Sequence, residues 1–401
     1  MTRRRRESAA KRAGYVILSL LFALLCLFLL LQLGRYFHPG VREPAQASLA
    51  AADLGARLAN SLQNSKADAL SGIAAIKKHY VIPEDAAAAP VPDERAFHTF
   101  PIGEAKKVLP FIEKARQSGL LEGQEVLFDP DAEFYHDSFI GCYYDETILM
   151  ILWKEVIDGN TCSCCEIKIA DASQFRRKIA GDTLGSPVWL YASELAAAVN
   201  PVVAMNADFY MFRDFGTVVY DRRLWRMDEG TYTGQYKKYN CIDTCFIDSS
   251  GNFHFTHRLE ERSRLEMEQY LIDNGILFSL SFGPVLVEDG VLQTCGWYPA
   301  GEPDQGYSRA GIGQLGPLHY YYMSVNHSPE RDATWTVDRF AQAFYDKGVP
   351  NAYCLDGGQT SEILWRGEPF NHIDNVNGGG ERAVSDIIYF ASALPESEVR
   401  P

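Results

Sequence analysis

The stretch Ala352-Tyr353-Cys354-Leu355-Asp356-Gly357-Gly358-Gln359-Thr360-Ser361-Glu362-Ile363-Leu364-Trp365 decides how this chain is read. Ala352–Leu355 and Ile363–Trp365 are apolar runs of strand length, and the residues between them are polar, small or acidic. A buried strand that ends in Asp-Gly-Gly delivers a carboxylate to its mouth. Two glycines admit left-handed backbone, and successive N–H groups in such a turn form a nest for an anion. The glycine spacing fits neither G-x-G-x-x-G nor the P-loop, so nucleotide binding is not indicated. The purely structural alternative is a glycine-rich hairpin turn.

Outward from this stretch the chain keeps its short-strand character. Ile148–Trp153, Cys165–Ile169, Tyr320–Val325 and Ala383–Phe390 read as strands, and Val337–Lys347 as a helix. Val285–Val287 and Val291–Gln293 form a hairpin around Glu288-Asp289-Gly290, with Asp-Gly at the tight turn. Phe246–Asp248 and Phe253–Thr256 pair in the same way. A further helix is expected over Glu104–Ser118, stopped by Gly119. The fold class is therefore α+β, with mixed, largely antiparallel sheets and flanking helices.

Three other segments place reactive side chains at strand ends. Val202–Met205 runs into Asn206-Ala207-Asp208, an amide and a carboxylate at a strand mouth or, in the plainer reading, an Asx-turn. Ser281-Phe282-Gly283-Pro284 precedes the hairpin. Tyr307-Ser308-Arg309-Ala310-Gly311 sets an arginine among small residues, where its planar fork suits a phosphate or a surface ion pair. Gly378–Asp386 adds a glycine-rich loop leading into the last strand, with Ser385 and Asp386 as weaker candidates.

The chain has 401 residues and a net charge of −14. Seven of its Lys and Arg lie within residues 1–35, leaving 31 against 51 Asp and Glu in the rest of the chain. So acidic a body is poorly matched to nucleic acid. Tyr15–Leu33 is an apolar run interrupted only by Ser19, Cys26 and Gln32, and Arg3–Arg6, Lys11 and Arg12 precede it. Nineteen residues at ~1.5 Å each span about 28 Å, enough for one transmembrane helix with a cytoplasmic N-terminus. Residues 1–35 are thus expected to be a basic tail and membrane anchor. Residues 36–96 are expected to be an Ala-rich helical stalk, suited to self-association, ending in a Pro/Ala linker over 83–94. The folded domain is expected over 97–393, outside the cytoplasm.

An external location permits disulfides, and one or two are expected among the eight cysteines beyond Cys26. Neither Cys162-Ser163-Cys164-Cys165 nor His254-x2-His257 has the pairing of a zinc site. No cofactor is indicated, although Asp-rich loops are of the kind that hold Ca²⁺ or Mg²⁺.

Taken in order, Asn206–Tyr210, Phe282–Gly290, Arg309–Gly313, Leu355–Ser361 and Val384–Asp386 resemble the motifs of the phosphodiester glycosidase family, over about residues 160–392. That family includes a lysosomal enzyme that removes N-acetylglucosamine from a sugar phosphodiester, and bacterial exopolysaccharide-associated proteins. Asp208 stands where many members have a small residue, Gln359 replaces a third glycine, and Glu362 is an added carboxylate. Asn326-His327-Ser328 occupies the place of a usual Asp-Gly-Arg.

The resemblance implies a membrane-anchored extracytoplasmic hydrolase acting on a carbohydrate phosphodiester of the cell envelope. Asp356 is then the base or nucleophile, with Asp208 or Glu362 as its partner. Arg309 and the amides of Gly357 and Gly358 hold the phosphate, Asn206 orients Asp356 or a sugar hydroxyl, and Thr360, Ser361 and Asp386 complete the binding surface. The rival expectation is a non-catalytic glycan- or wall-binding, envelope-assembly protein using the same cleft.

Overall fold

The computed structural model describes residues 80–183, 188–209, 215–227, 242–257, 262–326, 335–374 and 380–395. The expected anchor and the expected stalk up to residue 79 lie outside these residues. Among the described residues no helix is long and apolar enough to cross a membrane.

In chain order the strands begin with β1 (Tyr80–Val81), β2 (Phe97–Pro101), β3 (Phe139–Tyr144), β4 (Ile148–Ile157), β5 (Asn160–Ile169), β6 (Phe175–Ile179) and β7 (Val203–Asn206). Next come β8 (Val218–Tyr220), β9 (Arg223–Arg226), β10 (Thr244–Asp248), β11 (Phe253–Thr256), β12 (Ile276–Leu280), β13 (Val285–Glu288) and β14 (Val291–Leu292). The last are β15 (Arg309–Gly316), β16 (His319–Val325), β17 (Asn351–Leu355), β18 (Ile363–Trp365), β19 (Glu368–Pro369), β20 (Asp386–Phe390) and β21 (Leu394–Pro395). Among the described residues four α-helices accompany them: α1 (Leu109–Gln117), α2 (Ala192–Ala197), α3 (Arg264–Asp273) and α4 (Val337–Asp346). The fold is a mixed α+β arrangement of mostly antiparallel sheets with few helices.

A nine-stranded sheet, ordered β14-β13-β17-β15-β16-β5-β4-β3-β2, is the backbone of the domain. Inside it, β4, β16 and β17 are largely buried on both faces, so they read as mostly apolar runs rather than alternating ones. On β5 the alternation shows where each face goes. Cys162 and Cys164 enter one core with Trp153, Tyr321, Phe340 and Phe344. Cys165, Ile167 and Ile169 enter the other, against the five-stranded sheet β19-β18-β7-β20-β6 and the three-stranded sheet β11-β10-β12. The outer side of the five-stranded sheet is closed by α2 and the segment around Ile82 and Ala89.

Helix α4 packs by a stripe of Val337, Phe340, Ala341 and Phe344, the i, i+3, i+4, i+7 pattern of an amphipathic helix. Thr336 caps its N-terminus by accepting from the Arg339 N–H. The stripe lies on β15, and the two glycines of Arg309-Ala310-Gly311-Ile312-Gly313 make room for it. A Cβ on Gly311 would stand 2.9 Å from Phe340 and 3.0 Å from the Tyr353 carbonyl oxygen.

Three expectations change here. The single helix over Glu104–Ser118 is a 3₁₀ segment, Ile102–Val108, followed by α1. Pro110 explains the break, since it sits in the first turn of α1 and supplies no N–H to continue an α ladder from upstream. The 83–94 segment, linker-like in composition, is packed onto the domain. Ala89 N–H donates to the Val199 carbonyl, Ile82 is buried, and β1 pairs with β21. Finally, the seven described cysteines are free, buried thiols. Cys162 and Cys164 share one face of β5 while Cys165 faces away, and burial pushes their thiols up. Cys241 lies outside the described residues.

Candidate active site

Antiparallel register brings the marked segments to one end of the two main sheets. The end of β17 meets the start of β15, with Leu355 opposite Ala310. The end of β7 meets the starts of β18 and β20, with Met205 opposite Ile363 and Asn206 opposite Ile387. The end of β16 meets Arg309 through Val325. Loops leaving these termini therefore gather at a common rim.

Asn206 ties the rim together. Its Nδ2 donates to the Asp356 carbonyl at 2.6 Å, and its Oδ1 accepts from the Glu362 N–H at 3.0 Å and the Tyr322 hydroxyl at 2.7 Å. The Asp356 N–H in turn donates to the Ala207 carbonyl. The two carboxyl residues thus have their main chains pinned to the same buried amide. Asp356 is half-buried, and its Oδ2 accepts from the Thr360 hydroxyl at 2.9 Å.

The two glycines do different work. A Cβ on Gly357 would collide with the Ser308 carbonyl oxygen, so this position needs the absence of a side chain. Gly358 has φ +64° and needs the left-handed region. The Gly358 N–H is bonded to the Ser308 carbonyl at 2.9 Å, so it is engaged within the chain. Ser361 is fully buried, with its hydroxyl 3.4 Å from the Arg309 carbonyl.

Arg309 departs from the expected open phosphate clamp. It is 4% exposed, and its guanidinium donates to four main-chain carbonyls: Trp335, Gly301, Glu302 and Gln305. It holds the 301–305 loop in place beneath the ring of Tyr307.

Asp208 and Asp386 are also interior groups. Asp208, 2% exposed, accepts from the Phe209 and Ser281 N–H groups, and its own N–H donates to Asp386 Oδ1 at 2.9 Å. Arg177 reaches both, pairing closely with Asp386 Oδ2 and standing 3.8 Å from Asp208 Oδ2. Burial and the neighbouring Asp208 push Asp386 up, while Arg177 pulls it down.

Glu362 differs from Asp208, Asp356 and Asp386. It is 1% exposed, and its Oε1 has no hydrogen-bond partner among the described residues. Burial pushes its pKa up to about 8, reinforced by the charge of Glu381 and a hydrogen bond to it. Glu381 is fixed by Ser193, whose N–H and hydroxyl donate to its two oxygens at 2.9 and 2.6 Å. A second unpartnered carboxylate oxygen, Asp374 Oδ1, lies where Asp374 accepts from the Ser308 hydroxyl.

Arg177, Ser193, Asp374 and Glu381 were not among the residues singled out from sequence. The one available signal was Arg177 at an inward position of the Phe175-Arg176-Arg177-Lys178-Ile179 alternation. Among the described residues no cluster of three His, Cys, Asp or Glu side chains is arranged to hold a metal. A cavity of about 820 Å³ lies elsewhere, lined by β6, the 82–87 segment and Arg222. Its ions largely pair with one another, as Arg222 does with Glu84 and Lys178 with Asp182.

Residues 201–391, a little under half of the chain, match the family model described as phosphodiester glycosidase. A curated relative, the SPbeta prophage-derived uncharacterized protein YomE of Bacillus subtilis (strain 168), is 30% identical over 197 residues, which is 48% of this chain and 28% of the relative. Among solved structures, the catalytic domain of zebrafish N-acetylglucosamine-1-phosphodiester alpha-N-acetylglucosaminidase, auto-inhibited by its pro-peptide, aligns with a TM-score of 0.48 at 16% identity. That alignment covers 65% of this chain and 86% of the zebrafish one. A hypothetical protein from Synechocystis aligns with a TM-score of 0.41 at 14% identity, covering 62% of this chain and 63% of its own.

Proposed function

We propose, from the premise that residues 201–391 belong to the phosphodiester glycosidase family, that this chain is a hydrolase that frees a sugar from a phosphodiester at its anomeric carbon. The observation that carries the proposal is the unlike pair of carboxyl groups at the rim. Glu362 is buried, keeps its proton to about pH 8 and has an unpartnered oxygen. Asp356 is half-buried and set on the glycine turn.

Cleaving the bond between C1 and a phosphate oxygen calls for two groups. One supplies a proton to the departing oxygen, and one takes a proton from water or attacks C1. Glu362 suits the first task. A neutral Glu362 also avoids repelling an anionic substrate, which an ionised carboxylate would do. Asp356 suits the second. The phosphate rests against the Gly357–Thr360 turn at Gly358, where a Cβ would meet nothing within 4 Å. Asn206 keeps the acid and the base in register. Arg309, Asp208 and Asp386 support the rim from beneath, with Arg309 fixing the loop that leads to Ser308.

The apolar run Tyr15–Leu33 with its basic flank then tethers this domain outside the cytoplasm, facing envelope polysaccharide. A GlcNAc-1-phosphodiester, the substrate type of the family's lysosomal member, is the first probe. The full chain, in detergent, is expected to release GlcNAc from it and not from the matching simple alkyl glycoside. Binding without release supports a glycan-binding protein instead. Equal release from both probes removes phosphate from the recognition.

A further inference from the structure

We propose that Trp189 and Tyr191 form a sugar-stacking subsite beside the rim. It holds a neutral sugar unit on the far side of the phosphate, so that the leaving group is itself a glycan. The subsite takes its catalytic meaning from the hydrolase reading, whereas the binding stands on the surface alone.

The backbone sets the two rings on one face. Residues 189–191 run into α2, with Tyr191 extended, and in extended chain successive side chains point to opposite sides. Leu190, in the middle, bridges Val384 and packs inward against the core beneath α2. Trp189 and Tyr191 therefore face outward, and they are 64% and 46% exposed. Trp189 is the most exposed of the six tryptophans. The main chain under the rings is fixed. The Tyr191 N–H donates to Glu194 at 2.9 Å, the Tyr191 carbonyl accepts from the Leu195 N–H, and the Leu190 carbonyl accepts from the Val384 N–H at 3.0 Å. Trp and Tyr also lose few rotamers when they bind, so the pair is set in advance for a ligand.

Residues 380–384 join this pair to the rim. Gln359 of the glycine turn donates to the Gly380 carbonyl at 3.1 Å, and the Ser193 N–H donates to Glu381 at 2.9 Å. Val384 pairs with Leu190 just before β20 begins at Asp386. The turn proposed to receive the phosphate and the aromatic pair thus share one short segment. A group leaving the turn on that side has the rings beside it.

The chemistry of the surface selects the occupant. Two large rings kept in water forgo their burial, and such a patch marks a binding surface. A pyranose offers an apolar C–H face to a ring and hydroxyls to a polar surround. Residues 188–200 contain one charged residue, Glu194, and no Lys or Arg. An anionic lipid surface would call for basic residues around the aromatics.

The test uses the full chain in detergent and two GlcNAc-1-phosphodiesters that differ only in the leaving group, methyl or a linear hexose trisaccharide. The wild-type KM is expected to be about tenfold lower for the trisaccharide diester, a stacking contribution of ordinary size for two rings. In the Trp189→Ala, Tyr191→Ala double variant that preference should vanish. The Trp189→Phe, Tyr191→Phe double variant should keep most of it, because the ring faces do the holding. Trp189→Ala alone carries the test if the double alanine variant does not fold. The same contact is read without turnover as the calorimetric Kd of the trisaccharide phosphate, expected to weaken about tenfold in the double alanine variant. Equal wild-type KM values for the two diesters, or a preference that survives both alanines, overturns the subsite. If neither diester is cleaved, the Kd decides. A loss of affinity in the double alanine variant then supports the subsite and removes the hydrolase reading, whereas no binding or an unchanged Kd overturns the subsite. In vesicles with brominated acyl chains, fluorescence quenching that disappears in Trp189→Phe would place the ring in lipid and also overturn it.

Discussion

Two groups of acidic residues lie at the same end of the sheets and are built differently. In the first, Asp208 and Asp386 enclose Arg177, with main-chain N–H groups on their oxygens. In the second, Asp356 sits half-exposed on a glycine turn, and Glu362 is buried against another carboxylate with one oxygen unpartnered. The first neutralises charge and anchors β6, β7 and β20 to one another. The second leaves proton affinity and acceptor capacity unmet by the protein, which is what a reacting group needs and a structural one does not. Residue type alone does not separate the two roles; the partners do.

Three variants sharpen that contrast, in descending order of effect, and a pH profile follows them. Arg177→Leu strands two buried carboxylates and should cost roughly 3–5 kcal/mol of stability, read as a lowered denaturation midpoint. A loss under about 1 kcal/mol would show that the cluster is not held by this charge. Glu362→Gln should slow sugar release about a hundredfold, within the usual range for a general acid, while the chain stays folded. Gly357→Ala forces the turn away from the Ser308 carbonyl and should cost roughly 1–3 kcal/mol, with activity falling alongside.

The last effect is the pH dependence of stability, which accumulates over several pH units. Glu362 is raised from 4.5 to about 8. Between those values the folded state binds a proton that the unfolded state has released. Stability from this group is therefore fully present below about 4.5 and falls by about 1.4 kcal/mol per pH unit until about pH 8. Glu362→Gln should flatten that slope and melt higher than wild type at alkaline pH. An unchanged slope would mean that Glu362 ionises normally in the folded chain.

Much of the fold was legible where turn and cap chemistry are local. The hairpin of β13 and β14 follows from Asp289-Gly290, and both residues have positive φ as the tight turn requires. Helix α4 follows from its apolar stripe. β15 was hidden because Arg309-Ala310-Gly311-Ile312-Gly313 has the composition of a loop. Its glycines are there to admit Phe340, Phe344 and Val349 from the α4 side, a requirement of tertiary packing that no local pattern records. At the site, Asn206, Asp356 and Glu362 stood out because each follows an apolar run or precedes one. Glu381 did not, since it follows a glycine run and acquires its meaning only when α2 places Ser193 against it. Arg177 was masked by its neighbours, because Arg-Arg-Lys reads as a solvated surface until the alternation of β6 turns one arginine inward.

The central claim is that the glycine turn after β17 carries a reacting carboxylate, and the rate of sugar release by Asp356→Asn tests it most directly. With GlcNAc-1-phosphodiester as substrate and the denaturation midpoint as a control for folding, the account predicts about a thousandfold loss of kcat with the midpoint unchanged. A folded Asp356→Asn chain that turns over at the wild-type rate would contradict it.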